Sequence, residues 1–259
     1  MSLLRRLFGK RPPAPPVMPE AVFDAPAPDV PFVAIGDIHG CADLLSAMLD
    51  KIDAAYGTSV KTVFVGDYID RGEDSAGVLK IVTDRAAAQP DNCVCLIGNH
   101  EEMALNFLDN PAEHGQRWLR YGGLQTLASF GIGGVSETSS PNTLEAAAES
   151  FAIALGPDMV SWLRGLQVMW ASGNVTVVHA GADPALPINL QAKSALIWGH
   201  PDFAKVPRSD GNWVVHGHTI VDAPQAEQGR ISIDTGAYAT RKLTGVVIDG
   251  QQPLEFISV

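Results

Sequence analysis

The sequence predicts an α/β fold whose strands end in clusters of polar residues. Short, continuous apolar runs, such as residues 32–35 and 63–65, are typical of strands that are covered on both faces. A helical pattern follows each run, and this alternation indicates βαβ units and a largely parallel sheet. The chain has 259 residues, of which 46% are hydrophobic and 18% charged, so one large domain or two small ones are expected.

The first part of the chain alternates regularly between strand and helix. Residues 1–30 are basic and rich in proline, which indicates a disordered leader, and the domain is predicted to begin at Pro31. Asp74 or Ser75 can cap the second helix. The predicted strands cover 32–35, 63–65 and 93–97, and the helical patterns that follow them cover 43–55, 74–82 and 101–108.

The later part contains a helical segment and then mostly strands. Residues 110–165 hold helical stripes around a Gly/Ser-rich break, which predicts a helical cap within a domain that spans 31–259. Six β-rich segments follow, and Asp249-Gly250 signals a hairpin between the last two. These segments are 167–171, 175–178, 213–215, 231–233, 243–248 and 254–259.

Charge and cysteine content restrict the possible partners. The net charge of −11 argues against non-specific nucleic-acid binding, but a phosphorylated substrate stays possible because bound cations reverse the local charge of a site. Three cysteines without framework spacing indicate reduced thiols in a cytoplasmic protein. No segment is predicted to span a bilayer. A weak membrane-surface contact is an alternative to the disordered leader, through Leu3, Leu4, Leu7 and Phe8.

Five apolar runs end in a small residue with polar groups beside it. Because ligands bind at the carboxyl ends of strands in an open α/β sheet, these five ends can present their side chains to one place. Five of the seven histidines fall in these segments, which core packing does not explain. The segments read AIGDIHG (34–40), FVGDYIDRG (64–72), LIGNHEE (96–102), VVHAGAD (177–183) and VVHGHTI (214–220).

The side chains at these ends have the chemistry of metal ligands. Carboxylate, imidazole and amide groups without thiolate suit Mn²⁺, Fe or Zn²⁺ in a catalytic site. Six such groups are too many for one ion with open positions, and they suit two divalent ions that share one carboxylate. The six candidates are Asp37, His39, Asp67, Asn99, His179 and His218.

The ordered motifs GDIHG, GDYIDRG, GNHE, HAG and GHT resemble the signature of the calcineurin-like metallophosphoesterases over about residues 32–249. The DRG and GNHE motifs, with YGG (121–123) and the segment 233–245, resemble the bacterial type of the serine/threonine phosphoprotein phosphatase branch. The resemblance implies a sandwich of two mixed β-sheets flanked by helices, with a helical cap.

The resemblance also implies a role for each candidate residue. Asp37 and His39 would hold the first metal, Asp67 would bridge both, and Asn99, His179 and His218 would complete the second. His100 would be the general acid, oriented by Asp70, and Arg71 would hold phosphate oxygens. These roles agree with the chemistry, because an imidazole held by a carboxylate can protonate a leaving oxygen and a guanidinium fits two phosphate oxygens.

The sequence departs from the family where a second phosphate-binding arginine is expected. His200 stands near that position, and Arg208 is the only arginine between Ala180 and His216. Either His200 replaces the arginine, or Arg208 reaches the phosphate, or substrate binding is weaker. Tyr238 either faces the substrate or packs within the protein.

The leading functional prediction is two-metal hydrolysis of phosphate monoesters by a serine/threonine protein phosphatase, with manganese as the expected metal. The substrate would be a phosphorylated protein or a small phosphoester. The first alternative is a symmetrical diadenosine tetraphosphate hydrolase, which cleaves a phosphoanhydride; the DRG and GNHE motifs favour the monoesterase over it. The second alternative is a non-catalytic phosphate-binding scaffold.

Overall fold

The structure is a computed structural model that describes residues 23–259. Its first sheet has five strands in the order β10-β9-β1-β2-β3. β1, β2 and β3 are parallel, β9 runs antiparallel to β1, and β10 runs antiparallel to β9. The sheet is therefore mixed. The strands are β1 (Phe32–Ile35), β2 (Lys61–Phe64), β3 (Cys93–Cys95), β9 (Thr244–Ile248) and β10 (Glu255–Ser258).

The second sheet also has five strands, in the order β4-β5-β6-β8-β7. Its three inner strands β5, β6 and β8 are parallel and its edge strands antiparallel. The edge strand β7 was not predicted, because its sequence, QAE, has no apolar run. All three residues are exposed in the structure. The strands are β4 (Met169–Ser172), β5 (Val175–Val178), β6 (Trp213–His216), β7 (Gln225–Glu227) and β8 (Arg230–Ser232).

The two sheets pack face to face and form the predicted sandwich. Val63 and Val65 of the first sheet share one buried cluster with Val177, Val215 and Ile233 of the second. These side chains are fully buried, as expected for strands that are covered on both faces. The packing brings the carboxyl ends of β1, β2 and β3 beside those of β5 and β6.

Helices cover the outer face of the first sheet. Asp74 caps the second helix, since its Oδ1 accepts a hydrogen bond of 2.8 Å from the backbone N–H of Gly77. The helices are α1 (Ala42–Tyr56), α2 (Ser75–Ala88) and α3 (Asn99–Asp109), and the shorter α7 (Lys193–Trp198) and α8 (Ala237–Thr240) lie later in the chain.

The helical cap is present where it was predicted. It packs on α3 through an aromatic cluster in which the Trp118 ring lies 4.8 Å from Phe107 and 5.4 Å from Phe151. This cluster fixes the position of the cap over the site. The cap comprises α4 (Pro111–Trp118), a π-helical turn (Leu119–Gly123), α5 (Leu124–Ser129) and α6 (Pro141–Arg164).

Residues that precede the predicted domain boundary at Pro31 make hydrogen bonds with the second sheet. Residues 24–30 lie along the second sheet, where the Ala27 N–H donates to Asn174 Oδ1 at 2.7 Å and the Gly173 N–H to Asp29 Oδ2 at 3.0 Å. These hydrogen bonds order the end of the expected leader. The predicted membrane contact at residues 3–8 lies outside the described residues. Within residues 23–259, no helix is both long enough and apolar enough to cross a membrane.

Candidate binuclear metal centre

The structure brings all six candidate metal ligands together at one edge of the sandwich. Each follows the carboxyl end of a strand, as the sequence pattern required. The two sheets contribute jointly, since the His218 N–H donates to Asp37 Oδ2 at 3.0 Å across the gap between them. Five of the six are buried and His218 is partly buried.

Asp67 lies at the centre of the cluster. Its Oδ2 is 3.3 Å from His39 Nε2, and its Oδ1 is 3.4 Å from His179 Nε2. One carboxylate thus faces an imidazole on each side. This is the arrangement in which a carboxylate can bridge two metal ions.

Asn99 joins the two histidines of the second sheet. Its Oδ1 lies 2.9 Å from His179 Nε2 and 2.7 Å from His218 Nδ1. Asp67, His179 and His218 form one group with ligand atoms within 4.8 Å of one another, and His39, Asp67 and His100 form a second. The geometry therefore offers two adjacent positions for ions.

Backbone carbonyls set the tautomers of two ligands. His39 Nδ1 lies 2.8 Å from the carbonyl oxygen of Ile69, and His179 Nδ1 lies 3.1 Å from that of Val65. Because a carbonyl only accepts, each Nδ1 carries the proton and each Nε2 presents a lone pair toward Asp67. Both imidazoles are oriented as metal ligands.

Burial keeps the histidines neutral. It lowers the pKa of His39 to about 3 and that of His218 to about 4. In Asp67, burial alone would raise the pKa, but the neighbouring His179, His100 and His39 outweigh it and lower the pKa. Neutral imidazoles around an ionised carboxylate are the protonation states that bind a metal.

Three buried atoms in the site have no hydrogen-bond partner in the described structure: Asp37 Oδ1, His39 Nε2 and His100 Nε2. An unpaired buried polar atom is costly, so each requires a partner outside the chain. For the Asp37 and His39 atoms, a divalent cation fits that requirement, and the oxygen and nitrogen donors suit such an ion.

Asp234 is a carboxylate of the site that the sequence analysis did not single out. Burial, followed by the charge of Asp67, raises its pKa to about 6, and Asp37 also has a raised pKa from burial and from the charges of Asp234 and Asp67. Three carboxylates that repel one another again fit a cation site. Its place at the end of β8, in the segment 233–245, could have identified it.

The loops of the site adopt a backbone conformation that L-residues rarely use. Non-glycine residues with positive φ include His39 (45°), Asp67 (52°), Asp70 (72°), Arg71 (67°) and His218 (65°). Such strain persists only where the surroundings hold it, and it is concentrated at functional sites. No sequence signal identifies it, because glycine is absent at these positions.

Glu101 holds the central loop in this conformation. Its carboxylate accepts backbone N–H groups from Asp67 at 2.9 Å, Tyr68 at 2.8 Å and Gly98 at 2.9 Å. It therefore orients the GNHE loop and caps α3 at the same time. Glu101 is fully buried and touches the backbone on both sides of the cluster.

His100 and Asp70 form a dyad beside the metal positions. His100 Nδ1 lies 2.7 Å from Asp70 Oδ2, and its Nε2 lies 3.8 Å from Asp67 Oδ2. Burial alone would lower the pKa of His100, but the carboxylates of Asp67 and Asp70 outweigh it and raise the pKa. His100 can therefore carry a proton near neutral pH.

The cap contributes two residues to the dyad that the sequence analysis missed. Trp118 Nε1 donates to Asp70 Oδ2 at 2.9 Å, and Thr126 Oγ1 donates to Asp70 Oδ1 at 2.6 Å. They reach Asp70 from 48 and 56 residues away. With His100, they give the buried carboxylate a donor on each side and fix its orientation.

Arg71 and Tyr238 lie together at the mouth of the site. The Arg71 guanidinium carbon is 5.0 Å from the centre of the Tyr238 ring, and that ring is 5.4 Å from His39. A cation over an aromatic face is held in place but keeps its N–H donors free. The structure thus brings Tyr238 to the site with the predicted phosphate-binding arginine.

Arg208 has partners within its own loop, and its reaching the phosphate stays one of the three alternatives of the sequence analysis. Arg208 is 3% exposed and donates to the carbonyl oxygens of Asp183 and Leu186, each at 2.8 Å, and to the Asp210 carboxylate. Its donors are used within its own loop. His200 is half-buried and lies 3.8 Å from Asp183 Oδ2; its role in phosphate binding stays a prediction.

Arg208→Met is expected to lower the free energy of unfolding by about 1–3 kcal/mol, because the part-buried hydrogen bonds to the Asp183 and Leu186 carbonyl groups and to the Asp210 carboxylate are lost. The KM for a phosphoester substrate is expected to stay unchanged. Urea unfolding and steady-state kinetics measure both quantities, with the exposed Lys205→Met as the control. Unchanged stability with a raised KM would place Arg208 at the substrate site.

His216 is a packed residue at the end of β6. Its Nε2 lies 2.9 Å from Ser232 Oγ, and burial lowers its pKa to about 4. It is buried and not grouped with the metal-binding residues. His216 lies two residues before His218 in the sequence, but it ends the strand and is not grouped with the metal-binding residues.

Comparison with known proteins agrees with this geometry. The family model of the calcineurin-like phosphoesterases matches residues 30–222. An asymmetrical bis(5'-nucleosyl)-tetraphosphatase PrpE from Bacillus velezensis is 30% identical over 236 residues, which are 82% of this chain and 86% of that protein. The protein of the same name from Bacillus subtilis is 27% identical over 241 residues, which are 82% of this chain and 88% of that protein.

A solved structure shares the fold. A crystal structure described as a candidate diadenosine tetraphosphatase superposes with a TM-score of 0.62, covering 89% of this chain and 93% of that one at 21% identity. The two sequence relatives named above are tetraphosphatases. The fold is also shared with a protein serine/threonine phosphatase from Saccharomyces cerevisiae, at a TM-score of 0.54 and 18% identity, so the comparisons show the family but not the serine/threonine phosphatase branch.

Proposed function

The chain belongs to the calcineurin-like phosphoesterase family, and from this premise we propose that it hydrolyses a phosphoanhydride bond of a dinucleoside tetraphosphate. This takes up the substrate of the first alternative of the sequence analysis in place of the protein phosphatase, but with asymmetrical rather than symmetrical cleavage. Relatives that align over more than 80% of the chain are named for this reaction. Their asymmetrical cleavage would yield ATP and AMP from diadenosine tetraphosphate.

The structural observation that carries this proposal is a pair of grooves that meet at Arg71 and Tyr238. One, of about 390 Å³, runs along the cap past Arg120 and Tyr121. The other, of about 590 Å³, runs past Asp43 and Arg241. A substrate with phosphates in its middle and a nucleoside at each end needs two such exits from the phosphate-binding arginine, whereas a phosphoserine side chain needs one.

The metal-dependent chemistry follows from the family and from the ligands present. Following the family resemblance, Asp37, His39 and Asp67 would hold one divalent ion, and Asp67 with Asn99, His179 and His218 the other. The unpaired Asp37 Oδ1 and His39 Nε2 support the first assignment, and the grouping of Asp67, His179 and His218 supports the second. When bound, two such ions polarise a phosphoryl group and lower the pKa of water between them. Manganese is the metal we propose, while the donor set also suits iron and zinc.

The protein's own residues would position the substrate and move the proton. Arg71 offers two parallel N–H donors to oxygens of the attacked phosphate. Water forms the new P–O bond and the bond from phosphorus to the bridging oxygen breaks. His100 Nε2 gives its proton to that leaving oxygen, while Asp70 holds the ring through Nδ1.

Incubation of the purified protein with Mn²⁺ and diadenosine tetraphosphate tests the proposal. We expect ATP and AMP in equal amounts, measured by anion-exchange chromatography at early times. A phosphoserine peptide and p-nitrophenyl phosphate are assayed in parallel. The Asp67→Asn variant, purified identically, controls for contaminating phosphatases.

The product pattern separates the alternatives. Two molecules of ADP would mean symmetrical cleavage, which keeps the substrate but changes the bond. Rapid release of phosphate from the phosphoserine peptide, with the dinucleotide left intact, would overturn the proposal in favour of the protein phosphatase.

A further inference from the structure

Tyr121 stands at the mouth of the cap groove and has no role in the metal centre. Its side chain is 50% exposed, whereas the two glycines that follow it are buried. An exposed tyrosine ring offers a flat apolar face for stacking together with a polar hydroxyl group. Tyr121 lines the same groove as Arg71 and Tyr238.

The following glycines fix Tyr121 against the phosphate-binding loop. A Cβ atom on Gly122 would lie 2.6 Å from the backbone nitrogen of Arg71, and one on Gly123 would lie 2.6 Å from Trp118. Gly122 also has φ of 117°, which favours glycine. The backbone of the YGG segment is therefore held close to Arg71, which places Tyr121 in the groove that Arg71 also lines.

The groove beside Tyr121 combines an aromatic face with polar groups. Gln125 and Glu137 line it, and Glu137 pairs with Arg120 at 3.3 Å. A nucleobase offers a flat face for stacking and an edge of hydrogen-bond donors and acceptors. The chemistry of the groove matches both.

The second groove is less suited to a base. Tyr238, which both grooves share, is the aromatic residue among those that line it. Its other lining residues include the carboxylates of Asp43, Glu73 and Asp74. These can accept ribose hydroxyl groups but offer no further stacking surface.

We propose that the cap groove is a nucleoside subsite in which a base of the substrate stacks on Tyr121 while Arg71 holds the adjacent phosphate. This inference rests on the proposed dinucleotide substrate. It adds that one of the two nucleosides of that substrate binds in the cap groove. Tyr121 is then a specificity-determining residue that leaves the phosphoryl chemistry itself unchanged.

Tyr121→Ala tests the subsite. The KM for diadenosine tetraphosphate should rise about tenfold or more, because a base loses its stacking partner. The kcat/KM for inorganic tripolyphosphate, a phosphoanhydride with no aromatic ring, should stay within twofold. Tyr121→Phe keeps the ring and should retain the parent KM. Ile153→Ala, at an exposed site on α6, is the matched surface control.

Competitive inhibition makes the test independent of dinucleotide cleavage. AMP and ribose 5-phosphate differ only in the base, so AMP should inhibit p-nitrophenyl phosphate hydrolysis more strongly, and Tyr121→Ala should abolish this difference. If the parent protein cleaves the dinucleotide but Tyr121→Ala changes neither KM nor the inhibition ratio, the subsite is overturned and the proposed function stands. If the parent protein leaves the dinucleotide intact, the proposed function fails, and the inhibition ratio alone decides the subsite.

Discussion

Asp67→Asn is expected to abolish hydrolysis of every phosphoester while the protein stays folded. Asp67 is the one carboxylate that faces His39 at 3.3 Å and His179 at 3.4 Å, so its loss weakens both metal positions. Bound metals supply several kcal/mol of transition-state stabilisation, and about 1.4 kcal/mol corresponds to tenfold in rate. We expect kcat/KM to fall by at least about three powers of ten.

Metal uptake gives a second measurement that does not depend on turnover. Mn²⁺ should raise the melting temperature of the parent protein, since a ligand at 100 times its Kd stabilises the native state by about 2.7 kcal/mol. Asp67→Asn should lose most of this shift, whereas Asp84→Asn, at an exposed site on α2, should keep it. A variant with normal metal-dependent stabilisation would contradict the bridging role.

The gathering of the six ligands was predictable because strand order in the chain sets their place in space. Asp37, Asp67 and Asn99 follow three parallel strands, so their side chains must share one edge of the first sheet. His179 and His218 follow two parallel strands of the second sheet in the same way. The match of the family model to residues 30–222 confirms the family that the motifs predicted, and with it the sandwich of mixed sheets.

The support around the ligands could not be read from the sequence. Trp118 and Thr126 reach Asp70 only because the cap docks on α3, and no local pattern marks either residue. The position of the Arg208 guanidinium depends on its hydrogen bonds to two carbonyl groups in the loop after β5. Contacts of this kind arise from tertiary packing, which periodicity and spacing do not encode.

The substrate class was hard to predict for a related reason. In the proposed mechanism, Arg71 and His100, in the DRG and GNHE motifs, would act on the phosphoryl group and the leaving oxygen. A phosphomonoester and a phosphoanhydride present the same groups to these residues. The discrimination therefore falls to residues outside the motifs, and the grooves that could supply it are built from the cap and from the segment around Tyr238.

His100→Asn is expected to slow hydrolysis of alkyl phosphates far more than hydrolysis of diadenosine tetraphosphate. General acid catalysis contributes typically about 10²–10⁴-fold, and its benefit grows with the basicity of the leaving group. The alkoxide of serine is a strong base that needs a proton, while a nucleotide phosphate is a weak base that can leave without one. We therefore expect a loss of about 10²–10⁴-fold with phosphoserine and a smaller loss with the dinucleotide.

Steady-state kinetics with both substrates and p-nitrophenyl phosphate measures this split, alongside Mn²⁺ uptake. Metal uptake should survive in His100→Asn, although His100 Nε2 lies only 3.8 Å from Asp67 Oδ2.

Asp70→Asn removes a charge that raises the pKa of His100. Because the donor must be protonated, alkyl phosphate hydrolysis in that variant should begin to decline at a lower pH than in the parent. An equal loss on all three substrates, together with lost metal uptake, would instead make His100 a metal ligand.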